Sequence, residues 1–158
     1  MLRYLQVLKD KPIQIVPAGK DLTRGGCVVK DIANNEVLIA GSLSGNTPNT
    51  GFFLVDNAPN YNGINAIIAP TDADFENIVE GDLCLLVPTF VGERYATTEV
   101  DDARSLSVGD ALIAVDGMFS AASGGVAYEW VYGGTYSDPT GLNMYIVERV
   151  SPATTPGE

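Results

Sequence analysis

The chain has 158 residues, of which 46% are hydrophobic and only 18% charged, and its net charge is −11. A chain of this length is typically one domain and can bury a core without help from disulfides or metals. The negative charge disfavours binding to nucleic-acid phosphates and to anionic membranes, and no cluster of basic residues offsets it. Histidine does not occur, which removes the commonest general base and the commonest metal ligand.

The first ten residues, MLRYLQVLKD, contain no apolar stretch of signal-peptide length, and no segment of the chain approaches the length of a membrane span. The sequence therefore predicts a protein made in a cytoplasm. Leu2, Leu5 and Leu8 recur at every third residue, which is compatible with a helical turn or with an extended arm. We expect residues 1–10 to form an N-terminal arm and residues 11–150 to form a single β domain.

Short apolar runs separated by turn residues come next, and they predict strands. PIQIVPAG alternates apolar and polar residues, and the runs CVVKDI and EVLIAG flank Asn34 and Asn35, which favour a tight hairpin. SLSGNTPNT predicts an exposed polar loop, and GFFLVD predicts a strand. Asn62 and Gly63, lying between apolar runs, predict a second hairpin.

One short helix is predicted in the segment PTDADFENIVEG. Thr71 followed three residues later by Asp74 is a typical N-cap pattern, with acidic residues in the first turn. Phe75, Ile78 and Val79 would then form one apolar stripe over about two turns. The glycine after this stripe is expected to end the helix.

The rest of the chain predicts further strands and a flexible end. DLCLLVP, ALIAVDG, GVAYEWVYGG and LNMYIVERV have strand patterns, whereas residues 151–158, SPATTPGE, lack apolar anchors and predict a flexible tail. The full set is eight to ten short strands with one short helix, and the helices of a parallel α/β sheet are missing. The predicted fold class is therefore all-β, as a small β-barrel, a β-tulip or a sandwich.

No pattern in the sequence predicts catalysis, a metal site or a cofactor site. Asp101 and Asp102 are adjacent, so on a strand they would point to opposite faces and would not share an ion or a proton. The serines of SLSG and SASGG have no histidine partner. Cys27 and Cys84 lie in apolar runs typical of buried reduced thiols, with a disulfide or a nucleophile as alternatives. We expect a protein that is not an enzyme and needs no cofactor; a small enzyme working through carboxylates is the alternative.

An aromatic row stands out in the run VAYEWVYGG, where Tyr128, Trp130 and Tyr132 fall on one face of a predicted strand. Such a row either belongs to the core or a subunit interface, or forms a surface that grips a partner or a sugar. Because three large amphipathic rings follow one another in a chain of low charge, we favour the core or a subunit interface.

A Gly-Asp step precedes two of the apolar runs, in VEGDLCLLV and SVGDALIAV. Gly81 and Gly109 can adopt positive φ at a turn, and the carboxylates of Asp82 and Asp110 can accept backbone N–H groups as a strand begins. These properties explain the residues without any ligand. The step therefore predicts a strand-starting turn rather than a binding loop.

The segment SLSVGDALIAVDGMFSAASGG, preceded by GERYATTEVDD, resembles small capsid decoration (cement) proteins and related head proteins of tailed bacteriophages. DLTRGGCVVKD has the same style, and the likeness covers residues 22–40 and 81–125. The shared unit is GD-x-L-x-V-x-x-G-x-F, carried here by Gly109, Asp110, Leu112, Val115, Gly117 and Phe119.

This resemblance implies a non-enzymatic virion protein that binds the outer surface of an expanded phage capsid, often as a trimer, and stabilises the shell. Its partner would be the major capsid protein, and it would reside on the capsid surface after synthesis in the host cytoplasm, without cofactor, nucleic acid or membrane. Members commonly contact the lattice through a terminal arm. Residues 1–9 are the candidate here, with Leu2, Tyr4 and Leu5 as anchors.

A second candidate surface for partner binding is the aromatic row of Tyr128, Trp130 and Tyr132. If that row is the functional surface, the chain would instead be another virion β-domain, in a tail or baseplate, or a receptor-binding or glycan-binding module. The chain is also longer than the smallest decoration proteins, with an insertion around residues 42–61. The oligomeric state therefore stays open.

Overall fold

The computed structural model describes residues 1–12, 14–57 and 76–157, and they form short β-strands joined by turns. The predicted all-β class is confirmed. The strands are β1 (Leu2–Gln6), β2 (Gln14–Pro17), β3 (Leu22–Thr23), β4 (Cys27–Asp31), β5 (Glu36–Ile39), β6 (Phe53–Asn57), β7 (Asn77–Ile78), β8 (Leu83–Val87), β9 (Arg94–Thr97), β10 (Ala111–Val115), β11 (Met118–Ala121), β12 (Ala127–Ser137) and β13 (Asn143–Thr154). The described residues thus hold more strands than the eight to ten predicted. Those that the sequence pattern missed are β1, β3, β7, β9 and β11.

The strands form two main antiparallel sheets and a short two-stranded one. Sheet A has the order β1-β9-β13-β12-β10-β11, and sheet B has the order β2-β8-β6-β4-β5. The third sheet pairs β3 with β7. The arrangement is a sandwich of two unequal sheets, which is one of the three architectures that the sequence predicted.

The main core lies between the two sheets. Alternate residues of sheet A point inward, and Trp130 of β12 and Tyr95 of β9 are the largest side chains that are fully buried there. Sheet B supplies Cys27, Leu54 and Val87 to the same core. Burial of this apolar surface is the main force that holds the sheets together.

Sheet B contributes side chains to a core on each of its faces, which explains why its strand β8, LCLLV, is a continuous apolar run. In β6, Leu54 faces the main core, whereas its neighbour Val55 faces a second core on the other side of the sheet. The sheet curls around this second core, and Ala18 after β2 forms a single parallel bridge with Val37 of β5. This bridge brings the edges of the sheet together at one point without closing a barrel.

The hairpin turns follow the rules of local sequence. Asn35, between β4 and β5, has φ of 53°, as expected from the predicted Asn-Asn hairpin. Asp116 and Gly117 join β10 to β11 with φ of 44° and 82°, the combination of a two-residue type I′ turn. The predicted hairpin at Asn62 and Gly63 lies outside the described residues.

The predicted helix between residues 70 and 81 is only partly testable, because its first half, including Phe75, lies outside the described residues. The second half differs from the prediction. Ile78 belongs to the short strand β7 and is 1% exposed, whereas Val79 is 57% exposed. An apolar stripe on a helix would have buried both side chains, so pairing with β3 determines the conformation here.

Both ends of the described chain are more ordered than the sequence suggested. Residues 2–6 are not a free arm but strand β1, which pairs with β9 at the edge of sheet A. Residues 151–154, expected to belong to a flexible tail, continue β13 and pair with the start of β12. Thr155 then donates its backbone N–H to the carbonyl of Val126. Backbone pairing orders residues 151–154 although their side chains are exposed, whereas β1 is also held by the burial of Leu2.

Candidate functional site

The predicted anchors of the N-terminal segment have three different environments. Leu2 is 1% exposed and packs in the main core, so it offers no surface to a partner. Tyr4 and Leu5 are 43% and 37% exposed. The difference arises because β1 lies at the edge of sheet A, with its first residues covered and its last residues open to solvent.

Tyr4 is tied to sheet B despite its exposure. Its hydroxyl donates a hydrogen bond of 2.8 Å to Oδ2 of Asp56, and the same carboxylate forms an ion pair with Arg24. Burial, followed by the negative charge of Asp56, raises the pKa of the Tyr4 hydroxyl above its usual value. The ring meets that of Tyr95 edge to face, with the ring centroids 5.7 Å apart. Tyr4 therefore holds β1 against the sandwich and is only partly available to a partner.

A buried carboxylate, Glu93, organises the segment that follows β1. Its Oε1 accepts the backbone N–H of Leu8 at 2.8 Å, and its Oε2 accepts the backbone N–H of Phe90 at 2.8 Å. Lys11 forms an ion pair with Oε2 at 2.6 Å, and the Tyr95 hydroxyl donates to the same atom at 2.8 Å. One side chain thus fixes two separate loops in one position.

The Glu93 network is almost fully enclosed. The side chains of Lys11 and Glu93 are 7% and 3% exposed. Burial raises the pKa of the Glu93 carboxyl, but the hydrogen bonds from Lys11, Leu8, Phe90 and Tyr95 outweigh this effect, and the pKa lies below its usual value. The carboxylate is therefore ionised at neutral pH and neutralises the buried ammonium group.

Three apolar side chains on the two loops that Glu93 joins are exposed to solvent. Leu8 is 58% exposed, Phe90 41% and Val91 61%, and the Lys11 ammonium lies 5.7 Å from the centre of the Phe90 ring. We call Leu8, Phe90 and Val91 the Glu93 patch. It is a candidate contact surface because these apolar groups are exposed on two loops whose backbone is anchored by hydrogen bonds to Glu93.

Sequence reasoning missed the Glu93 patch, although a signal was present. Phe90-Val91-Gly92-Glu93 has the same form as the two Gly-Asp steps, with glutamate in place of aspartate. In each of the three turns the fourth residue donates its backbone N–H to the carbonyl of the first, and the glycine has φ between 91° and 98°. The longer side chain of glutamate allows it to reach a second loop as well as its own turn.

The Gly-Asp step itself is a strand-starting turn, as predicted. Gly81 and Gly109 have φ of 91° and 98°, the left-handed values that a type II turn requires at its third position. Oδ2 of Asp110 accepts the backbone N–H of Ser107 at 2.7 Å, which closes the turn from the other side. Thr23-Arg24-Gly25-Gly26 has the same backbone hydrogen bond before β4, which extends the pattern to a fourth strand.

The predicted aromatic row runs from the buried core to the end of sheet A. The pairing of β12 with β13 shifts between Tyr128 and Trp130, because three residues of β13 lie opposite one residue of β12 there. Trp130 and Tyr132 are 0% and 4% exposed and belong to the main core, which excludes them as a surface for a partner. Tyr128 is half-buried and lines a cleft at the end of sheet A.

Trp130 is the centre of the aromatic core. The Phe52 ring stacks on it at 5.9 Å, and the Phe119 ring meets it edge to face at 5.2 Å. The guanidinium of Arg149 lies 5.6 Å above its ring and forms an ion pair with Glu129. This arrangement corresponds to the core alternative that the sequence left open.

Cys27 and Cys84 are buried free thiols, as predicted. Burial raises the pKa of both, for Cys27 together with the negative charge of Glu99, and for Cys84 to about 11. Both are therefore protonated at neutral pH, a state in which a thiol is a poor nucleophile.

Within residues 1–12, 14–57 and 76–157 there is no group of three or more acidic or cysteine side chains arranged to hold a metal ion. The same residues contain no helix long and apolar enough to cross a membrane. Comparisons of the chain with protein-family models, with curated proteins and with solved structures gave no match.

Proposed function

We propose that this chain is a non-enzymatic virion protein that binds the outer surface of a tailed-phage capsid and stabilises the shell. Its partner is the assembled lattice of the major capsid protein. The observation that carries the proposal is the Glu93 patch, an apolar contact surface held in place beside the N-terminal strand. Leu8 belongs to residues 1–9, the segment that the resemblance to decoration proteins suggests for the lattice contact, whereas Phe90 and Val91 lie in the neighbouring loop that Glu93 joins to it.

The size of the patch favours many weak contacts over one stable complex. At the observed exposures, its three residues present roughly 300 Å² of surface in all, at the lower end of the range for the largest apolar patch on an ordinary monomer. A stable complex of two proteins buries about 800 Å² on each partner. A patch of this size suits a protein that occupies a repeating shell in many copies, where weak contacts that share a scaffold combine into strong attachment.

The turn unit that carried the resemblance is built as a rigid architectural element. Leu112 and Phe119 of this unit are fully buried in the main core, and Gly109 and Gly117 have the positive φ that its two turns need. None of these residues is available to bind a ligand through its side chain. This supports a protein that acts through its surface and not through an enclosed site.

The proposal is tested by binding to expanded shells that lack decoration. The shells are assembled from the major capsid protein of the phage that encodes this chain, and binding is measured by co-sedimentation and by the temperature at which the shells disrupt. We expect saturable binding in a fixed ratio to capsid subunits and a higher disruption temperature. A double variant, Leu8→Ser with Val91→Ser, is expected to lose most of this binding.

A matched control removes exposed apolar groups elsewhere. Ile32 and Leu43 are 86% and 93% exposed and lie outside the Glu93 patch, so Ile32→Ser with Leu43→Ser removes a similar amount of apolar surface. This control is expected to bind shells as the unmodified protein does. If the unmodified protein does not bind expanded shells, the proposal is wrong. Equal loss in both double variants would instead place the contact outside the patch.

A further inference from the structure

A cleft of about 510 Å³ opens at one end of sheet A, a volume within the range of small-molecule sites. It lies where the Gly-Asp turn before β10 meets the loop between β11 and β12 and the end of β13. Ala111 and Ala122 form part of its lining, and the backbone N–H of Ala122 donates to the carbonyl of Ala111 at 2.8 Å. Small side chains on a hydrogen-bonded backbone therefore keep this space open.

Tyr128 is the aromatic residue of the cleft. Along β12, Trp130 and Tyr132 are buried in the core, whereas Tyr128 lies nearer the end of sheet A and is only half-buried. Beside it, β13 bulges away from regular pairing with β12, and bulges are common next to binding sites. The ring is half-buried, and among the described residues no hydrogen bond is made by its hydroxyl group.

Two further polar groups line the same space. Asp110 uses Oδ2 to accept the N–H of Ser107, and within the described parts of the chain its Oδ1 accepts no hydrogen bond. The hydroxyl of Ser123 has no hydrogen-bond partner in those parts either. The cleft thus combines an aromatic ring with a carboxylate oxygen and two hydroxyl groups that retain hydrogen-bonding capacity.

The negative charge of the cleft limits the kinds of ligand that can bind there. Among the residues that the structure describes, Asp110 is the one charged lining residue and no lysine or arginine borders the cleft, so phosphate or sulfate groups would be repelled. Ca²⁺ takes roughly six to eight oxygen ligands, so a single carboxylate does not make a calcium site. A neutral molecule with several hydroxyl groups and an apolar ring face matches the donors, the acceptor and the aromatic ring together.

We propose that this cleft is a carbohydrate-binding subsite that takes a neutral sugar, with the Tyr128 ring stacking on the sugar face and Asp110 and Ser123 bonding its hydroxyl groups. This goes beyond attachment to a shell and does not depend on it. The cleft and the Glu93 patch share no residue. A bound sugar would leave the proposed shell contact free.

The test is a titration of the 15N-labelled protein with a panel of neutral sugars, namely glucose, galactose, mannose, N-acetylglucosamine and their short oligosaccharides. We expect one or more of them to shift the amide signals of Gly109, Ser123, Gly124 and Tyr128 in a saturable manner. Asp110→Asn is expected to weaken binding by about tenfold or more, because it replaces a charged acceptor with a neutral one. Tyr128→Leu should weaken it by a similar factor, and Tyr128→Phe by less, because the stacking ring remains.

Two controls separate binding in the cleft from general effects. Asp82→Asn makes the same change in the equivalent Gly-Asp turn before β8, outside the cleft, and should leave sugar binding unchanged. Ala122→Trp fills the cleft without changing its polar groups and should abolish binding. The proposal is overturned if no sugar of the panel shifts the four amides, if Tyr128→Leu binds as well as the unmodified protein, or if choline, an organic cation, binds in place of sugars. None of these outcomes bears on the shell-binding test.

Discussion

At the scale of single residues, the glycines of the two Gly-Asp turns, Gly81 and Gly109, are required by backbone conformation and not by lack of space. Gly109 has φ of 98°, yet a Cβ added there would meet no atom within 4 Å. Gly41 differs, because its φ is 67° and an added Cβ would lie 2.0 Å from the carbonyl oxygen of Ala114. A larger side chain at position 109 would therefore cost only backbone strain. At position 41 it would also clash with the backbone of Ala114.

We therefore expect Gly109→Val to lower the free energy of unfolding by about 1–3 kcal/mol, the cost of holding a β-branched residue at positive φ. Gly109→Asn should lower it by less, since asparagine tolerates this conformation. Urea unfolding followed by circular dichroism measures both variants. Unchanged stability of Gly109→Val would show that the turn adopts another conformation in solution.

Trp130 is a candidate surface residue by its sequence pattern, but the structure buries it in the main core, where its role is structural. Its ring contacts the rings of Phe52, Phe119 and Tyr95 and has no exposed surface. We expect Trp130→Ala to lower the free energy of unfolding by about 3–5 kcal/mol, because it opens a large cavity in the main core. Tryptophan fluorescence gives a second measurement, since this is the sole tryptophan of the chain and its emission should be that of a buried indole. Emission typical of an exposed indole, or a stable Trp130→Ala protein, would contradict this placement.

At the scale of secondary-structure elements, β1 is part of the sandwich and not a detachable arm. It contributes Leu2 to the main core, pairs with β9, and joins Arg3 to the Asp138 carboxylate through two hydrogen bonds of 2.7 and 3.1 Å. Asp138 lies in the turn between β12 and β13, so this ion pair also fastens β1 to the longest hairpin of sheet A.

Deletion of residues 1–9 is therefore expected to unfold the protein, and not merely to release it from a partner. Burial of one leucine side chain contributes about 1.5–3 kcal/mol, and typical domains have only about 5–15 kcal/mol in total. Thermal melting should show loss of the cooperative transition in the deletion variant. The Leu8→Ser and Val91→Ser double variant, which changes exposed side chains only, should melt close to the unmodified protein. A deletion variant that melts like the unmodified protein would instead support the interpretation of residues 1–9 as a detachable arm.

The sequence predicts most strands of this fold because their runs are apolar and bounded by glycine. It misses β9, since Arg94 and the polar residues around it conceal a strand that is held by pairing with β1 and β13. It also misses the Glu93 patch: the Val-Gly-Glu turn is visible in the sequence, but the second loop that Glu93 binds lies far away in the chain and leaves no pattern there. Tyr128 could be identified as an aromatic candidate, but its place in a cleft lined by the loop after β11 and by the residues after β13 depends on tertiary packing.

At the scale of the whole molecule, the large excess of negative charge coexists with a set of enclosed ion pairs. Asp138 pairs with Arg3, Glu93 with Lys11, and Glu129 with Arg149. The hydrogen bond from Arg3, followed by that from Thr140, lowers the pKa of Asp138. Burial raises the pKa of Glu129, but the hydrogen bonds from Arg149 and from the backbone of Gly51 outweigh it, so that this pKa is lowered too.

The sign of these shifts predicts how stability depends on pH. Because the folded pKa of each acid lies below its unfolded value of about 4, the unfolded state binds more protons in acid. The stabilisation is therefore complete above about pH 5 and is lost as the pH falls through the lowered folded pKa values. Asp138→Asn should be less stable than the unmodified protein at pH 7 and should lose stability less steeply below pH 4. Urea unfolding from pH 7 to pH 2.5 measures both proteins, and the two stability curves should converge toward the acid end. Curves that stay parallel over this range would mean that the pairing of Asp138 with Arg3 does not contribute to the acid sensitivity of the fold.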